Sequence, residues 1–150
     1  MKRLLLAVAL PVLVLSAALY AADEVKLDGI NCPVAGNKPA KAANAVDYKG
    51  GKVYFCCGNC PKAFEKDSAK FATKANTQLV ATGQAKQDKC PITGRDLNAE
   101  TKIKVDGAEV AFCCNNCKGK VEKADAKDKA ELVFSDKAFE KAGFKVAAKK

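Results

Sequence analysis

The chain has 150 residues, with eight cysteines, no histidine, no tryptophan and a single methionine. That length allows one ordinary domain or two small ones, and the missing histidine excludes imidazole as catalytic base or metal ligand. The net charge is +9, but the lysines alternate with alanine and acids, as in AFEKDSAKFATKAN, the pattern of solvated helix faces rather than of a nucleic-acid surface.

Lys2 and Arg3 open the chain, an apolar run follows from Leu4 to Leu15, and small residues precede Asp23. These three parts predict a signal peptide over residues 1–22, cut after Ala21 or Ala22, with Ala18 as the alternative. Pro11 interrupts the apolar run and argues against a retained membrane anchor. Export would place the mature protein in the periplasm or the medium, where disulfides are the default state of cysteine.

The mature part divides into two units, 23–84 and 85–150. The first has Cys32-Pro33-Val34-Ala35-Gly36, then strand-like runs on either side of Gly50-Gly51, then Cys56, Cys57 and Cys60. Gly-Gly between such runs predicts a β-hairpin. Pro61 suits a first helical turn, and Ala63, Phe64, Phe71 and Ala72 recur at helical intervals after it. LVATGQAKQ bridges to the second unit, with a turn or helix end at Gly83.

The second unit repeats the order: Cys90-Pro91-Ile92-Thr93-Gly94, a hairpin at Asp106-Gly107, Cys113, Cys114 and Cys117, and a weaker helical face with Val121, Ala124 and Leu132. Cys32 precedes Cys90 by 58 positions and the clustered cysteines precede theirs by 57, so one residue of slack lies within the repeat. Two matching sets of four indicate duplication. Ser135 then caps a short helix whose Phe139 and Phe144 dock on the units, and the final residues fray. The fold class expected is α+β.

Each unit thus reads knuckle, hairpin, cysteine cluster, helix, the order of parts in treble-clef zinc folds. A helix N-terminus favours thiolate, the form that binds metal. Thiolate-only sites select zinc, copper(I) or another soft ion; four thiolates suit structural zinc, and two or three suit copper(I). All eight cysteines, Cys32, Cys56, Cys57, Cys60, Cys90, Cys113, Cys114 and Cys117, are candidate ligands. Neighbouring cysteines on a strand point to opposite faces, so Cys56 and Cys57 should not serve one ion equally unless the strand has already ended; the spacing does not choose between them, nor between Cys113 and Cys114. Disulfide pairing within each unit is an alternative reading, and Cys57-Gly58-Asn59-Cys60 offers a redox dithiol as another. Phe55, Tyr54, Phe64, Phe71 and Phe112 are expected in the core, and Asp23, Glu24 and Asp28 in solvent.

The positions of Cys32, Cys56 and Cys60, and of Cys90, Cys113 and Cys117, with an aromatic before each cluster and a helix after it, resemble the TRASH and YHS group of metal-binding domains over residues 30–72 and 88–124. The knuckle cysteine comes first here, with Ala35 or Thr93 in the later place that many relatives give to cysteine. The resemblance implies treble-clef-like modules and a part in heavy-metal handling. With no nucleophile–base pair, phosphate loop or paired carboxylate, the expectation is a binding protein and not an enzyme. Its partners would be metal ions and an unidentified protein, without nucleic acid.

Overall fold

The computed structural model describes residues 25–147. The leader expected over 1–22, Asp23, Glu24 and the last three residues lie outside that range. The elements are β1 (Lys41–Tyr48), β2 (Gly51–Phe55), α1 (Asn59–Lys66), α2 (Ser68–Ala81), β3 (Ala85–Lys86), β4 (Asn98–Val105), β5 (Ala108–Phe112), α3 (Asn115–Glu122), α4 (Ala126–Phe134), α5 (Asp136–Lys141) and β6 (Lys145–Val146). The strands form three two-stranded antiparallel sheets, β1–β2, β4–β5 and β3–β6, so the class is α+β. Among the described residues no helix is long and apolar enough to cross a membrane.

The two long hairpins share one register. Tyr48 pairs with Gly51 and Val105 with Ala108, which leaves Lys49-Gly50 and Asp106-Gly107 as the two-residue turns. All four turn residues have positive φ, from 48° to 84°, as a type I′ turn requires. The first turn therefore sits one residue earlier than Gly50-Gly51. Gly51 belongs to β2, and the need for glycine there is spatial: a Cβ would lie 2.8 Å from Leu79 Cδ2 and 2.9 Å from Val146 Cγ1.

The slack residue of the repeat is Asn37. Gly36 N–H donates to Cys32 O as Gly94 N–H does to Cys90 O, while Cys32 N–H donates to Lys38 O as Cys90 N–H does to Arg95 O. The first knuckle thus carries one more residue than the second before the chain rejoins the hairpin. Gly36 and Gly94 both turn at positive φ, 76° and 73°.

The helix expected after Cys60 is two helices. The chain breaks at Asp67 (φ −151°, ψ 73°), whose carboxylate accepts from Lys70 N–H and caps α2. This puts Phe64 on α1 and Phe71 on α2, and the two rings still meet, with centroids 6.4 Å apart. The second unit breaks likewise between α3 and α4; Ala124 falls in the break, and Ala130, Val133 and Phe134, not Leu132, are the buried residues of α4. Ser135 holds the N-cap position of α5, without a side-chain cap bond.

Two apolar clusters form. Cys32, Val53, Phe55, Cys60, Phe64, Ala75, Leu79, Ala85 and Phe139 make one. Cys90, Val105, Ala108, Val110, Phe112, Cys117, Val121, Val133 and Phe134 make the other. Phe139 comes from the C-terminal segment yet fills the first cluster, stacked on Phe144 at 4.6 Å. Helix α2 packs against α4, and β6 pairs with β3.

Candidate metal centre

In each unit three cysteines from three places in the fold meet. Cys32 sits in the knuckle, Cys56 follows β2, and Cys60 lies in the first turn of α1; Cys90, Cys113 and Cys117 hold the matching places around β5 and α3. The three sulfurs of each group lie within 4.8 Å of one another. The Cys56–Cys60 and Cys113–Cys117 sulfur separations are both 3.7 Å. A tetrahedral ion with sulfurs at about 2.3 Å has sulfur–sulfur edges of about 3.8 Å, so these spacings suit a shared soft ion. All eight cysteines are free thiols.

Cys57 and Cys114 stand outside these triads, and their settings differ. Cys57 is exposed, and its sulfur lies 3.5 Å from that of Cys60. Cys114 is half-buried, with its sulfur 3.7 Å from Cys113. Strands β2 and β5 end at Phe55 and Phe112, so strand alternation no longer governs these residues: Cys56 and Cys113 turn toward the knuckle, while Cys57 and Cys114 lie beside the triads, in sulfur contact with Cys60 and Cys113.

The knuckle sulfurs are buried completely. Burial pushes the Cys32 thiol up, but the backbone N–H groups of Ala35, Cys56 and Val34 outweigh it and hold the thiol below its ordinary value. Cys90 falls to about 7: burial opposes ionisation, while the Thr93 hydroxyl and the N–H groups of Cys113, Thr93 and Ile92 favour it more. The helix sulfurs go the other way. Burial, with the neighbouring sulfurs, pushes Cys60 well up and Cys117 to about 12. Outside the triads Cys57 falls to about 7, chiefly through the Asn59 N–H at the start of α1, and Cys114 is lowered chiefly by the Cys117 N–H. Each triad therefore pairs a knuckle sulfur held below the ordinary thiol value with a helix sulfur held above it.

Two glutamines fix these triads, and the sequence reading missed both. Gln78 on α2 is buried; its Oε1 accepts from Tyr54 N–H at 2.6 Å, and its Nε2 donates to Tyr54 O and Asn31 O at 3.0 and 3.1 Å. It ties the strand before Cys56 to the residue before Cys32. Gln87 does the same in the second unit, accepting from Ala111 N–H and donating to Ala111 O and Lys89 O. Gln78 follows its cysteine cluster and Gln87 precedes its knuckle, so self-comparison cannot align them. The buried Thr101 hydroxyl adds a bridge in the second unit only, accepting from Phe112 N–H with its single proton shared between Phe112 O and Asn98 O.

The two centres are not identical. Thr93 Oγ1 lies 3.2 Å from Cys113 Sγ, where the first unit has Ala35. Lys89, Arg95 and Asp96 border an open recess beside Cys113 and Cys114. No protein-family model, no curated protein and no solved structure matches this chain.

Proposed function

We propose that the protein is an exported, two-centre metal binder that stores, delivers or sequesters a soft metal ion, built from tandem treble-clef-like modules of TRASH or YHS type. The observation that carries this is the convergence of three sulfurs in each unit, from knuckle, strand end and helix start, in places matched by the repeat.

The donor set fits such an ion. Cys32, Cys56 and Cys60 would hold one and Cys90, Cys113 and Cys117 the other. Thiolates select zinc, copper(I) and heavier soft ions over hard ones. We favour zinc where Cys57 or Cys114 adds a fourth sulfur; the three-sulfur triads themselves favour copper(I) as the second reading. The chain's own part is to gather the sulfurs, bury the knuckle thiols and stabilise their thiolate with backbone N–H groups. We read it as a binder and not an enzyme because no histidine is available anywhere in the chain and its chemistry-bearing side chains are concentrated in these thiol groups.

Elemental analysis and native mass spectrometry of the reduced chain, loaded separately with zinc and with copper(I), test this. The expected result is two ions per chain, falling to one in Cys60→Ser and in Cys117→Ser. No retained ion, or an unchanged count in both variants, would overturn it.

A further inference from the structure

The two centres treat their fourth cysteine differently, and the difference has a chemical consequence. At the first centre the Cys57 sulfur is exposed and touches Cys60, a member of the triad, at 3.5 Å. The turn between them is tight: Cys60 N–H donates to Cys57 O at 3.2 Å. At the second centre Cys114 is half-buried and extended (φ −162°, ψ 167°), its carbonyl accepts one residue further along, from Lys118 N–H, and its sulfur touches Cys113 at 3.7 Å and also neighbours Cys117, so the contrast with exposed Cys57 lies in burial and backbone. Neighbouring residues have Cα atoms about 3.8 Å apart, short of the roughly 4.4–6.8 Å that a disulfide spans. The contact Cys114 makes with Cys113 thus does not lead to an easy bond.

We propose that the first centre is a thiol–disulfide switch, in which a small-molecule disulfide oxidises Cys57 and Cys60 to a cystine and so withdraws Cys60 from metal binding, while the second centre keeps its triad. This rests on the metal-binding reading above.

The exchange balances without further reactants. The exposed Cys57 thiolate attacks one sulfur of the external disulfide; a mixed disulfide forms and one external thiolate leaves. Cys60 thiolate then attacks the Cys57 sulfur of that mixed bond, forming Cys57–Cys60 and expelling the second external thiolate. Two cysteine thiolates lose two electrons in all, and one external disulfide gains them; the two released thiolates take protons from solvent. Cys32 and Cys56 remain as the only triad donors of that centre. Exposure makes Cys57 the point of entry, since Cys32 and Cys60 are buried.

The test uses the full reduced chain loaded with zinc, exposed to glutathione disulfide, with released zinc followed by a chromogenic chelator and the bond located by peptide mapping. The expected course is release of one of two ions, a mapped Cys57–Cys60 bond, re-uptake on reduction, and release at least about tenfold slower in Cys57→Ser. Release from Cys57→Ser at the parental rate, or a first-centre bond that excludes Cys57, overturns the switch and leaves the metal reading intact. A reduced chain that retains no zinc or copper(I) overturns the metal reading and, with it, the switch.

Discussion

A single side-chain amide can matter as much to these centres as a ligand. Gln78 satisfies both backbone groups of Tyr54 and the carbonyl of Asn31 in a buried place. Replacing it with leucine removes three bonds and leaves buried backbone groups without partners, each a cost larger than the bond's own net worth. Gln78→Leu should lower stability by about 2–4 kcal/mol, read from urea unfolding, and should weaken metal retention at the first centre before the second. The spacing of the cysteines pointed to all eight as candidates and could not choose within each adjacent pair. The structure brings Cys56 and Cys113 into the triads just past the ends of β2 and β5 at Phe55 and Phe112, and the path of the chain beyond those ends is not carried by cysteine spacing.

Among the elements, the hairpins were legible and their details were not. Turn residues and β-branched flanks announce a hairpin locally, yet Gly50-Gly51 offers two placements of the turn. Packing of Leu79 and Val146 over Gly51 selects Lys49-Gly50. Gly51→Ala should therefore cost about 1–3 kcal/mol in thermal or urea unfolding through crowding. Gly58 makes the contrast: nothing lies within 4 Å of a Cβ built there and its backbone is helical (φ −66°). Gly58→Ala should be neutral or stabilise by about 0.4–1 kcal/mol. The break at Asp67 escaped the helical periodicity because Phe64 and Phe71 keep their spacing across it; the cap by Asp67 is visible only once the chain bends.

Across the molecule the two halves are tied by their ends. Phe139 fills the first cluster from the C-terminal segment, and Asp136 joins three elements: it accepts from Lys49 at the first hairpin turn and from Asn76 on α2, beside Tyr48. The Lys49 ammonium, against the opposing cost of burial and with help from Asn76, holds the Asp136 carboxyl below its ordinary value. A carboxyl depressed in the folded state adds stability above its unfolded pKa, about 3.9, and that stability is lost as pH falls through the lower folded value. The side chain is 51% exposed, so solvent screens the effect. Asp136→Asn should be less stable than the parent near neutral pH, with the gap closing as pH falls below the ordinary carboxylate range, as followed by thermal unfolding across pH.

The sequence by itself determined what is local or periodic: a duplicated unit, an α+β composition, the hairpins, and the cysteines from which any thiolate centre must be drawn. Spacing and turn chemistry carry that information within a few residues. The tertiary structure decided which sulfurs meet, which fourth cysteine stays in solvent, and that a C-terminal phenylalanine completes the first core. Those outcomes depend on contacts between residues far apart in the chain, and such contacts leave no period or short motif to read.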